Sequence, residues 1–222
     1  MKNFLTKRTE KARELAKAFC VNHTGKMSSV ISISTSVVLN VFCQARAKDP
    51  TSICSHCFAA SMLEYYTELG KKLARNTELL TTELLNWNDV PVINYEKFRK
   101  LRFESFGDLN NAVQVYNYFL IARVNKNMKC ALWTKNPHII AEAMEQYNIT
   151  KPKNLVIVYS SPKLNEVASD ILKRYPFIDK VFTVFDKEHA ETVNINCGAR
   201  DCETCGRCYT KRTSAFVNEL LK

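Results

Sequence analysis

The sequence predicts an α/β protein with a mainly parallel sheet. A partial or distorted β/α barrel is the first architecture and a doubly wound open sheet the second. Three observations support this. Short apolar, β-branched runs recur about every 25–28 residues from Leu101 onward. The stretches between them carry helical spacing and are long enough for a crossover. The run Leu155–Ser160 is almost continuously apolar, as a strand covered on both faces would be. Strand–helix alternation of this kind is the pattern of a parallel sheet.

The elements follow in order. Thr9–Cys20 reads as a helix, with Leu15, Phe19 and nearby alanines on its apolar side. Ser28–Leu39, rich in Val, Ile, Ser and Thr, reads as a strand. Ser52–Leu85 is helical in character, with Gly70 as the expected break. Leu101–Phe106 is a strand, Ala112–Val124 a helix and Lys129–Thr134 a strand. Pro137–Tyr147 is a helix with Asn136 as its expected cap. Leu155–Ser160 is a strand, Leu164–Arg174 a helix and Val181–Phe185 a strand. The division expected is an α/β domain over residues 1–190 and a C-terminal cysteine-rich, cluster-binding segment over 191–222, packed on that domain.

Composition narrows the class. Only 5 Gly and 6 Pro among 222 residues argue against a loop-rich chain. The longest clean apolar run, Leu155–Tyr159, is far too short to span a bilayer. Met1–Phe19 carries charges throughout, so no signal core is evident, and an intracellular protein without a membrane partner is expected. The net charge of +10 favours an anionic partner, either a small molecule or nucleic acid.

The cysteines are the sharpest signal. Seven of nine fall into two groups. Cys197, Cys202, Cys205 and Cys208 are separated by four, two and two residues. Short successive steps let one loop offer each thiolate to a different iron of a cuboidal 4Fe-4S cluster. Zinc, which takes four ligands usually supplied as two separated pairs, is the alternative. Arg200, Arg207, Lys211 and Arg212 stand nearby to offset the anionic charge. The second group, Cys43, Cys54 and Cys57, follows the first long strand. Three thiols leave one ligand position open, which suits a catalytic metal site; a zinc clip is the structural alternative. Cys20 and Cys130 stand alone and read as packing residues.

Strand ends line the functional face of such folds. That singles out Asp108 at one strand end, Lys135 for a carboxylate or phosphate at another, and Ser160 for a ligand contact at a third.

In motif order the chain resembles a bacteriophage family known as gene product eighty-eight. The likeness runs through Thr24-Gly25-Lys26-Met27-Ser28, Cys43, Cys54-Ser55-His56-Cys57-Phe58-Ala59 and Gly107-Asp108. It continues through Trp133-Thr134-Lys135-Asn136, Asn154-Leu155, Ser160-Ser161 and the terminal cysteines. The resemblance implies an iron–sulfur protein of phage type, working in the cytoplasm of an infected bacterial cell. More remotely, the chain is similar to radical SAM enzymes, which hold an open-iron 4Fe-4S cluster on three cysteines after their first barrel strand. There S-adenosylmethionine binds the open iron and a Gly-Gly-Glu segment contacts its amino group. Phe106-Gly107-Asp108 stands at the matching place. The spacing departs from that family's pattern, with ten and two residues between Cys43, Cys54 and Cys57 in place of three and two. The expectation is one 4Fe-4S cluster or two, with S-adenosylmethionine as a further cofactor and an anionic substrate. The alternatives are a nucleic-acid-binding protein with one structural cluster, and a structural zinc protein.

Overall fold

The computed structural model describes residues 5–6, 9–94, 96–199 and 201–221. Its elements are β1 (Leu5–Thr6), α1 (Glu10–Ala18), β2 (Cys20–Val21), β3 (Ile31–Ile33), α2 (Val41–Ala47), α3 (Phe58–Tyr65) and α4 (Thr67–Thr81). Then come β4 (Val92–Ile93), β5 (Lys100–Phe103), α5 (Ala112–Val124), β6 (Lys129–Thr134), α6 (His138–Gln146) and β7 (Leu155–Ser160). The chain ends with α7 (Ile171–Arg174), β8 (Lys180–Phe185), α8 (Lys187–Ala190), α9 (Cys202–Cys205) and β9 (Phe216–Leu220).

Seven strands form one sheet in the order β2-β3-β5-β6-β7-β8-β9, and β1 pairs with β4 apart from it. Only the β2–β3 pair in the large sheet is antiparallel; every other neighbour is parallel. The order does not reverse, so no doubly wound switch point exists. The sheet is open, with β2 and β9 as its two edges.

Side-chain alternation explains what covers each face. Leu101, Phe103, Cys130, Leu132, Leu155, Ile157 and Val181 point into the main core, where Leu15 of α1, Leu80 of α4, Phe119 of α5 and Ile140 of α6 meet them. The intervening residues face the other way. Ala131 packs with Val30 and Tyr209, and Val156, Val158, Phe182 and Val217 form a second small cluster. Cys197, Cys202 and Cys208 lie against these two clusters. Helices therefore cover one face, and the cysteine-rich segment covers the other.

Several sequence expectations shift. The first strand is confined to Ile31–Ile33, and the chain from Ser34 to Leu39 leaves the sheet and leads to the Asn40 cap of α2. Gly70 does not break the helical stretch; it sits inside α4, and the break falls at Tyr66, whose φ of −114° and ψ of 77° are not helical. Position 70 has open space around it, so its glycine only weakens the helix locally. Asn136 does not cap α6: Pro137 holds the cap position, and the Asn136 side chain instead donates through its amide to the Leu109 carbonyl at 3.3 Å. Residues 164–170 are loop, with Asn165 at φ 62°, and only Ile171–Arg174 is helical there. The strand Phe216–Leu220 lies beyond the last strand expected. No helix among the described residues is long and apolar enough to cross a membrane.

Candidate functional site at the ends of the parallel strands

The C-terminal ends of β3, β5, β6 and β7 open onto two adjoining cavities. The first, of about 280 Å3, is lined by Cys43, Cys54, Cys57, Gly107, Asp108 and Lys135, among others. The second, of about 330 Å3, carries Asp108, Lys135 and Ser160 together with Cys197, Cys202 and Cys208. Phe106, Gly107, Asp108 and Lys135 line both, so they form the shared wall. The structure thus gathers Asp108, Lys135, Ser160 and six of the seven grouped cysteines around one pair of cavities. Cys205 lines a smaller space with the other three C-terminal thiols.

Local sequence positions the first thiol group. Asn40 accepts from the Cys43 N–H at 3.1 Å and starts α2. Ser52 accepts from the Cys54 N–H at 3.2 Å, and the Ile53 N–H donates to the Pro162 carbonyl at 2.8 Å, which anchors this turn to the loop after β7. Burial pushes the Cys43 thiol far up, and Asp108, Glu104, Cys54 and Cys57 add to that effect. A neutral thiol is therefore favoured until a metal displaces its proton.

The shared wall is held rigidly. Asp108 accepts from Thr134 Oγ1 at 2.5 Å, the Leu109 N–H at 2.7 Å and the Lys135 N–H at 2.8 Å. It does not cap the next helix; Asn111 does, accepting from the Gln114 N–H at 3.0 Å. The Thr134 hydroxyl is thus engaged with Asp108. Burial raises the Asp108 carboxyl, while Lys135, Thr134 and the two backbone N–H groups pull it back. Gly107 is required by space: a Cβ there would lie 2.7 Å from the Thr35 carbonyl oxygen and 2.8 Å from its hydroxyl.

Next to the shared wall, and lining the second cavity, stands Glu104, which motif reasoning missed. It sits just past β5 at φ 57° and is 2% exposed. Thr35 donates to it through its N–H at 3.2 Å and its hydroxyl at 3.0 Å. Gln114 Nε2 donates at 2.6 Å and the Tyr118 hydroxyl at 2.5 Å. Burial outweighs these donors and lifts the Glu104 carboxyl to about 7. The ends of β3 and β5 are thereby tied to α5.

Cys197, Cys202, Cys205 and Cys208 all line one small space of about 20 Å3. That volume is close to one water-sized sphere, so a multi-iron group would enter only as this loop spreads. All nine cysteines are free thiols. Among the described residues, no group of three or more His, Cys, Asp or Glu is drawn in tightly enough to hold one metal ion. Burial raises the thiols of Cys197 and Cys202, and that of Cys208 to about 12. Arg207 lines the same space, and its Nε–H is buried with no partner. Gly206 supplies the left-handed turn, φ 60°, between α9 and the following turn.

The cations around these thiols come mainly from the sheet. Lys26 Nζ lies 3.3 Å from Cys197 Sγ and pairs with Glu219. Burial alone would lower it, but Glu219 and Cys197 push it up to about 12. Lys100 pairs with Glu203 at 3.1 Å. The positive charge of Arg102 opposes the burial that raises Cys202 and Cys208. Lys180, lowered by burial and partly restored by Cys208, donates to Thr213 and Ser214. Of the cations expected from sequence proximity, Arg207 is at the site. Lys211 instead reaches Asp179 at 3.5 Å and Arg212 is exposed. Arg200 lies outside the described residues. The missed signal was present: Lys100, Arg102 and Lys180 are charges at second-face positions of otherwise buried strands.

The fold and site define a class: an open, singly wound α/β sheet with cysteine-lined cavities at its C-terminal edge and a cysteine-rich cover on the face opposite its main helices. The chain belongs to the gene product 88 family, whose model matches residues 3–218. This is the family that the motif order resembles. No curated protein and no solved structure matches the chain.

Proposed function

We propose that this protein is an iron–sulfur enzyme with a radical-SAM-like arrangement, acting on an anionic small molecule. The open, singly wound sheet is read as a partial β/α barrel. Cys43, Cys54 and Cys57 would hold a 4Fe-4S cluster with one open iron. Cys197, Cys202, Cys205 and Cys208 would hold a second, fully ligated one. A reduced open-iron cluster, when bound, supplies the electron for cleaving S-adenosylmethionine.

The carrying observation is that Cys43, Cys54 and Cys57 share a cavity with Gly107, Asp108 and Lys135, and that this cavity adjoins the one lined by the C-terminal thiols. Asp108 offers a carboxylate fixed by three donors, suited to an ammonium group. Lys135 offers a cation on the same wall, suited to a carboxylate. Cys197, Cys202, Cys205 and Cys208 line one common space, and their successive short spacings suit the separate irons of a cuboidal cluster better than a single zinc ion. The buried Arg207 N–H would find its acceptor in cluster sulfur.

The test is anaerobic reconstitution with iron and sulfide, followed by metal analysis and electron paramagnetic resonance with and without S-adenosylmethionine. About eight irons per chain and a spectrum altered by S-adenosylmethionine are expected. The triple variant Cys43→Ala, Cys54→Ala, Cys57→Ala should retain about four irons and lose the response. Stoichiometric zinc, or about four irons with an indifferent spectrum, would overturn the reading.

A further inference from the structure

The wall of the central cavity formed by β5 and β6 holds donors that the cysteine sites do not explain. Arg102 lines that cavity, stacked 4.3 Å from the Trp133 ring centre. Its hydrogen bonds go to two neutral acceptors, the Glu104 carbonyl at 3.4 Å and the Met27 thioether at 3.6 Å. The neighbouring acids are engaged elsewhere: Glu219 with Lys26, Glu203 with Lys100, and Glu104 and Asp108 with their own neutral donors. Trp133 Nε1 and Ser105 Oγ are buried without a partner among the described residues, and both residues line the same cavity. A guanidinium without a carboxylate, on the same wall as two orphaned donors, is a donor set suited to an oxyanion.

We propose that Arg102, Trp133 and Ser105 bind the oxyanion of a small molecule carrying one carboxylate or phosphate in the central cavity. The volume of about 330 Å3 is that of a small-molecule pocket, which favours a free metabolite over a polymer. Describing that molecule as the substrate rests on the preceding reading; its binding does not. The rival role for Arg102 is charge compensation of Cys202 and Cys208, which line the same cavity.

The experiment uses anaerobically reconstituted full-length protein and titration calorimetry. The probes are AMP against adenosine and benzoate against benzyl alcohol, with iron measured on each sample. At least one charged probe should bind while its neutral counterpart does not. AMP alone identifies a phosphate, and benzoate alone a carboxylate. Arg102→Gln should weaken binding by about tenfold or more, and Trp133→Phe should weaken it by a smaller factor, both with wild-type iron content. Equal binding of charged and neutral probes overturns the proposal, as does unchanged affinity in Arg102→Gln. Displacement of the probe by S-adenosylmethionine also overturns it, since the wall would then serve the cofactor's own carboxylate. If Arg102→Gln loses iron and Trp133→Phe binds normally, the guanidinium belongs to the metal site and the proposal fails. Arg102-dependent oxyanion binding by protein that takes up no iron would sustain the site while removing the iron–sulfur reading.

Discussion

Glu104 shows how much one residue can carry. Its backbone occupies a conformation uncommon outside glycine, and its carboxyl is shielded from water yet held by donors from two segments, Thr35 after β3 and Gln114 and Tyr118 on α5. Its folded pKa of about 7 lies above the ordinary value of 4.5. Below about 4.5 it is protonated in both states and costs nothing. Between 4.5 and 7 the folded state binds more protons than the unfolded one, so stability falls as pH rises. Urea unfolding of the metal-free protein should show a loss of up to about 3 kcal/mol across that window. Asp108, raised in the same direction, adds to the trend. The slope should flatten in Glu104→Gln; a slope unchanged by the substitution would place the titration elsewhere.

At the scale of elements, the site depends on short connections. The shared wall has no room for a larger residue at position 107, where the obstructing Thr35 oxygen belongs to the backbone. Gly107→Ala should destabilise the protein by about 1–3 kcal/mol, measured by urea melts. It should also disturb both cavities, since Gly107 lines each. Helix α5 begins at Asn111, whose side chain also donates to the Thr81 carbonyl at 2.9 Å. Asn111→Ala should cost about 1–2 kcal/mol in the same assay. It should also loosen Gln114, which reaches Glu104 from the first turn of that helix. The helices α5 and α6 and the strands β6, β7 and β8 were legible from the sequence because each is an apolar or periodic run of the right length bounded by polar turn residues. The short strands β2 and β9 were not, because pairing with β3 and β8 rather than local pattern makes them strands.

At the scale of the molecule, the cysteine-rich segment replaces the layer of helices that would normally cover the second face of a parallel sheet. It has little apolar surface for that task, since its contacts run through Tyr209, Cys197, Cys202 and Cys208. Binding a metal group across those thiols would supply the missing cohesion. Two outcomes follow. A chelator should lower the melting temperature of the loaded protein but leave the melt of unloaded protein unchanged. Because Cys43, Cys197, Cys202 and Cys208 are all raised, protons compete with metal at neutral pH. Uptake of iron and sulfide by these thiols, if they bind the proposed cluster, should therefore increase as pH is raised above neutral, followed by absorbance and iron content.

The sequence by itself determined the parallel α/β pattern, the two thiol groups and the polar strand ends, since these are written in spacing and periodicity. It put Asp108, Lys135 and Ser160 at the ends of strands, and all three line one cavity. What only the tertiary structure decided is which groups meet. The ends of β5 and β6 wall a cavity reached by the first cysteine group and adjoin one reached by the last, more than a hundred residues later. Sequence proximity placed Arg207 at the C-terminal thiols correctly but misplaced Lys211 and Arg212, because the segment folds back across the sheet. There Lys26, Lys100, Arg102 and Lys180, distant in the chain, become its neighbours.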